Sequence, residues 1–167
     1  SLLSSPLRSR FSGGTFRLDF YSDDEIVKIL ERSAGVLGAD TKRETLREIA
    51  SRSRATPRTA NYLLKRARDL AQIESANISD EIVARTFVLL DIDTLGLHGP
   101  DRQLLRAIVQ KFSGGPVGLN TLAAATGEEM ATIEDVLEPY LIRQGLIERT
   151  PRGRVATAAA HEHMQSS

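Results

Sequence analysis

The stretch "GLIERTPRGRVATA", residues 145–158, carries Arg149, Arg152 and Arg154 within six positions. A guanidinium is planar, permanently charged and forked, so it matches the oxygens of a phosphate or a carboxylate. Three of them at one turn suit the holding of a polyanion; ordinary arginines on a solvated turn are the other reading of the same residues. A second cation is oddly placed. Arg58 follows Pro57 at the start of a predicted helix, where the positive end of the helix dipole opposes it. A cation there makes sense when an anion such as a phosphate docks at the same helix start, and otherwise it reaches into water. The remaining constellations are poorer. His161 and His163 lie near the chain end with no Cys and no third ligand in view, so no metal is expected there. Asp91 and Asp93 lack the glycine and closing glutamate of a calcium loop. The doublets Gly13-Gly14 and Gly114-Gly115 do not belong to a "GxxxxGK[ST]" phosphate loop, and no Ser/His/Asp or Cys/His set has a recognisable context. By itself this polypeptide is not expected to be an enzyme.

The arginine cluster needs a scaffold, and the flanking sequence supplies one. After Gly145 the apolar period changes to two: Leu146 and Ile147 lead into Arg149, a turn "TPRGR" built on Pro151 and Gly153, then Val155 and Thr157, which predicts a hairpin. Three helices are predicted before it. The first runs from near Pro100 to Phe112 on Leu104, Leu105, Ile108 and Val109. The second, "LNTLAAATGE", is expected to be capped by Asn120 and stopped by Gly127. The third, "ATIEDVLEPYLIRQG", turns Ile133, Val136, Leu137, Tyr140 and Leu141 inward and is bent by Pro139. Three helices followed by a basic hairpin are the chain order of a winged helix. Duplex DNA presents about one negative charge per 1.7 Å of axis. The third helix offers Glu134, Asp135 and Glu138, with Arg143 only at its far end, so the wing and not the helix is expected to touch DNA. Arg149, Arg152 and Arg154 would then sit on phosphates or in a minor groove, a contact that positions without reading bases.

Upstream lies a separate bundle. "YSDDEIVKILERSAGVLG" predicts a helix with Ser22 and Glu25 as a capping box and Gly38 as its stop. "DTKRETLREIASRS" repeats the device with Thr41 and Glu44, "ATPRTANYLLKRARDLAQI" starts from Thr56 and Pro57, and "ISDEIVARTFVLLDI" is capped by Ser79. The boundary between the modules falls between about Asp93 and Gly99, where "DTLGLHGPD" breaks every periodicity.

Composition agrees with two small domains: 167 residues, 41% of them hydrophobic, suffice for one compact domain or two small ones. Twenty-two basic and 22 acidic residues cancel, yet they are segregated. From Lys42 to Arg68 nine basic residues face only Glu44 and Glu48, whereas from Glu128 to Glu138 five acids stand without a base. The absence of cysteine excludes a disulfide framework and a thiolate metal site, and fits a reducing compartment such as the cytosol. Arg8 and Arg10 come too early for a secretory segment, and no apolar run approaches a bilayer span, so no membrane role is indicated.

Five stretches, "SSPLRSRF", "RLDFYS", "SRATPRTANYLLKRARD", "GGPVGLNTLAAATGE" and "TIEDVLEPYLIRQGLIERTPRGRVAT", carry a further signal. Together they resemble the carboxy-terminal half of the RuvB family of bacterial Holliday-junction branch-migration motors, over nearly all 167 residues. The resemblance implies a mainly α chain: the end of a large AAA+ ATPase domain over 1–20, a helical lid bundle over 21–95, and a winged-helix domain with a small β-hairpin wing over 96–167. It implies part of a cytoplasmic, ATP-hydrolysing DNA helicase of recombination and repair, within the SOS response. Its Walker segments and RuvA-binding hairpin would lie upstream, so this chain alone is expected to be inactive. The implied cofactor is ATP, with magnesium held by the upstream domain. The implied partners are duplex DNA, the Holliday junction, RuvA, RuvC and the other subunits of a homohexameric ring.

Residue by residue, Arg10 before Phe11 matches the family's arginine finger, acting in trans on the neighbouring site, with Arg8 as the fallback. Tyr21 matches a nucleotide-contacting tyrosine, Arg58 the sensor-2 arginine of the lid, and Arg149 and Arg154 the DNA-contacting arginines of the wing. Two departures stand out. The chain reads "RFSGGTFRLDFY", a longer path from Arg10 to Tyr21 than is usual, and "ATPR" where the family has "GTPR", a minor change provided Ala55 adopts the glycine's backbone angles. Two rival functions remain: a stand-alone winged-helix regulator without ATPase activity, whose first bundle dimerises it, and an adaptor that docks proteins on its acidic helix.

Overall fold

The computed structural model describes residues 19–166. Arg8, Arg10 and Phe11 therefore lie outside the described residues. Four helices build the first domain: α1 (Asp23–Val36), α2 (Arg43–Ser51), α3 (Pro57–Ile73) and α4 (Asp80–Leu89). The capping box of α1 forms as expected. Ser22 N–H donates to Glu25 Oε2 at 2.8 Å and Glu25 N–H donates to Ser22 Oγ at 3.4 Å. The backbone hydrogen bond from Ser22 holds the Glu25 carboxyl below its ordinary pKa. Ser79 caps α4, accepting from Ile82 N–H. The inward faces of all four helices meet in one core around Ile26, Leu30, Ile49, Leu63, Leu64 and Phe87.

The start of α2 differs from expectation: its N-cap is Lys42, not Thr41, and no side chain caps it. Thr41 is bridged to Ile78 in parallel fashion, so its backbone ties the entrance of α2 to the segment before α4 and the helix begins one residue later. Ahead of α3, Arg54 and Ala55 both have positive φ, +57° and +54°. Ala55 thus occupies the left-handed region that glycine favours. We expect Ala55→Gly to stabilise the domain by about 0.5–1 kcal/mol, the excess of the left-handed penalty over the added chain entropy. A urea melt reads this directly, and a lower midpoint would show that the turn carries no such penalty.

The second domain begins with α5 (Gly99–Arg106), which runs on through a π-helical stretch, Ala107–Lys111. Next comes α6 (Leu119–Thr126), and then Met130–Thr132, a π-helical stretch Ile133–Leu137 and Glu138–Arg143, which are continuous and form α7. The hairpin of β1 (Ile147–Thr150) and β2 (Gly153–Ala156) follows, and α8 (Ala158–Ser166) ends the domain. Their core gathers Leu104, Leu105, Ile108, Leu122, Ile133 and Leu141. The N-cap of α6 is Gly118, and Asn120 lies inside the first turn. The chain enters α6 straight from Val117, which pairs with Arg154 as a third strand position against the wing.

Pro139 shapes α7. It offers no N–H, and its ring crowds the carbonyl four residues back; the wider π-helical turns just before it accommodate this. The altered register exposes Val136, at 55%, contrary to the inward position that regular helical spacing assigns it, while Glu138 is 0% exposed. In the wing, Arg149 faces Arg154 across the two-residue turn Pro151-Arg152. Gly153 adopts φ +137°, and a Cβ there would stand 2.4 Å from Val117 O, so only glycine lets the turn press against the third strand.

Candidate functional site

The three wing arginines occupy three different environments. Glu138, on α7, sends its carboxylate under the hairpin, where its side chain is 1% exposed. Arg154 Nε donates to Glu138 Oε1, and only 12% of the Arg154 side chain meets solvent. Arg149 donates to the other oxygen, Oε2, from Nε at 3.2 Å and from Nη2. Its Nη2 also lies 3.2 Å from Glu134 Oε1, and 47% of the side chain remains exposed. The Glu138 hydrogen bond, with the charge of Glu138 behind it, raises the Arg149 pKa above its ordinary value. Arg152 sits at the exposed tip, with no ion-pair partner among the described residues.

Chemically the three guanidiniums are graded in availability. Arg152 is free for a phosphate, and Arg149 can share its remaining donors with one while it stays on Glu138. Arg154, almost dry, is a strut that fixes the wing to α7. Sequence pattern alone misses Glu138, which reads as one more carboxylate on a solvated acidic face. The signal that could find it is position: it lies directly after Leu137 and three before Leu141, on the apolar side of the helix.

On the other domain, Arg58 is exposed in the first turn of α3 with no ion-pair partner among the described residues. Tyr21 is 47% exposed just before α1. No hydrogen bond or ring contact joins Tyr21 to Arg58 among the described residues. Those residues contain no cluster of three or more groups that could hold a metal ion, and no helix long and apolar enough to cross a membrane.

The chain is a helical bundle of the AAA+ lid class followed by a winged helix, with exposed cations on both. Residues 21–93 match the RuvB AAA lid domain model, and residues 94–165 match the RuvB C-terminal winged helix domain model. The solved structure of the Thermotoga maritima RuvB Holliday junction branch migration motor is 45% identical, with a TM-score of 0.93. The match covers 98% of this chain and 55% of that one. Two mutant forms of the same Thermotoga maritima protein match at 45% identity, with TM-scores of 0.93 and 0.92 and the same coverage. The chain belongs to the RuvB family. It spans about half the length of these structures.

Proposed function

We propose that the chain is the lid and DNA-gripping portion of an ATP-dependent motor that drives Holliday-junction branch migration in recombination and repair. One observation carries this reading: a single chain joins two anion-ready sites, Arg58 at the start of α3 and Arg152 with half-exposed Arg149 on the wing. The first suits the phosphates of a nucleotide and the second the backbone of a duplex. The exposed guanidinium of Arg58, unclaimed by any described carboxylate, fits a triphosphate, whose hydrolysis supplies the energy for movement. Tyr21 contacts the same nucleotide, and magnesium belongs to the upstream domain. Arg10 acts as the arginine finger on the neighbouring subunit's nucleotide in a homohexameric ring. RuvA engages the upstream hairpin, RuvC joins at the junction, and the machine works in the cytoplasm. The stand-alone regulator lacks comparable support, because the domain before the winged helix matches an AAA lid.

Fluorescence anisotropy separates the two. A motor holds any duplex by its phosphates, so duplexes of unrelated sequence are expected to bind within about threefold of one another and to weaken together as salt rises. A preference of about a thousandfold for one sequence would make the chain a regulator. Purified alone, the chain is expected to turn over no ATP; turnover that persists through purification would contradict the reading.

A further inference from the structure

A set of charge and ring contacts spans the junction between the two domains. Arg54, four residues before Arg58, forms an ion pair with Asp101 of α5, whose side chain is 1% exposed. The Arg54 guanidinium also lies over the Tyr140 ring of α7, 4.4 Å from its centroid. Arg143, three residues beyond Tyr140, approaches the same ring at 5.2 Å and the Phe20 ring at 4.7 Å. Phe20 adjoins Tyr21. The Tyr140 hydroxyl donates to Leu95 O at 2.7 Å, in the segment that connects the domains. Gly96 passes so near that a Cβ on it would lie 2.9 Å from that hydroxyl and 3.1 Å from Arg52 Cα. Asp101 further accepts the His98 N–H at 2.8 Å, and Arg102 Nη1 donates to Leu97 O at 2.7 Å. The junction is dry enough that burial lowers the His98 pKa and raises that of Tyr140.

Domains joined by a short linker ordinarily move against one another. Here a buried ion pair and an arginine stacked on a ring cross the linker, a hydrogen bond ties Tyr140 to the linker itself, and Tyr140 stands two residues from Glu138, the carboxylate that holds the wing. We infer that the Arg54–Asp101 pair and the Tyr140 ring lock lid and winged helix into one lever, which delivers movement at the Arg58 and Tyr21 edge to the wing. Arg54 and Tyr140 are positioning residues, acting through the contacts they make at the junction. The use of the lever in a motor rests on the proposed function; its stiffness does not.

The absence of cysteine makes the stiffness measurable, because spin labels go only where cysteines are introduced. Lys28→Cys on α1 and Asn120→Cys on α6 place labels on exposed positions of the two domains. The inter-label distance distribution, read by pulsed electron resonance, is expected to be narrow in the parent and to broaden about twofold or more with Arg54→Ala or Tyr140→Ala. It should stay narrow with the surface change Arg47→Ala. Arg54→Ala leaves Asp101 buried without its partner, so Arg54→Met combined with Asp101→Asn tests the same lock without a lone buried charge. An unchanged width in that double variant and in Tyr140→Ala overturns the lever. In the full-length motor, Arg54→Ala should keep ATP hydrolysis within about twofold while branch migration per ATP falls about tenfold. Branch migration at the parental rate per ATP overturns the lever's role in coupling. A parent motor that migrates no junctions overturns the proposed function instead, and the distance measurement still decides the stiffness.

Discussion

Glu138→Ala is expected to destabilise the winged-helix domain by about 3 kcal/mol, the scale for removing one partner of a buried ion pair. The carboxylate is shared by two guanidiniums, and they lose it unequally. Arg149, half exposed, can turn into solvent; Arg154 cannot, being 12% exposed and held in register by Val117. For a domain of this size the melting temperature should fall by about 10 °C or more. Circular dichroism of the thermal transition reads it. Replacing Glu138 and Arg154 together by methionine should recover most of the loss, because an apolar pair leaves no uncompensated charge. If Glu138→Ala melts like the parent, the wing is held by something other than this carboxylate.

The second large effect concerns DNA. Arg149→Ala combined with Arg152→Ala should weaken binding to every duplex by similar factors and reduce the slope of log affinity against log salt by about 1.8, roughly 0.9 for each phosphate no longer neutralised. At moderate salt this corresponds to an affinity about tenfold weaker. Arg154→Ala should behave differently, lowering stability more than it lowers the salt slope. From sequence all three arginines look equivalent; burial separates them, and this comparison tests the separation. A slope unchanged by the double substitution would take DNA off the wing, and a major-groove role for α7 would then need testing despite its carboxylates.

Much of the fold is legible in the sequence because its signals are local. The Ser22 and Ser79 caps, the apolar stripes of α1, α3 and α4, and the Pro151-Arg152 turn each depend on residues within about one turn of each other. Two caps depart from the local pattern where distant chain intervenes. Thr41 and Val117 spend their backbone groups on bridges to Ile78 and Arg154, and those pairings decide where α2 and α6 begin.

Spacing and residue type suffice to place the helical segments, to put a cationic hairpin after the helices of the second module, and to set Arg58 against a helix dipole. Which charges are free depends on packing between distant segments. Arg54 meets Asp101 across 47 residues and Tyr140 reaches Leu95 across 45. Glu138 is taken out of water because the wing folds over it and sets Arg149 and Arg154 on its two oxygens. A charge acquires its role from the dielectric and partners around it, and these exist only after distant segments have packed.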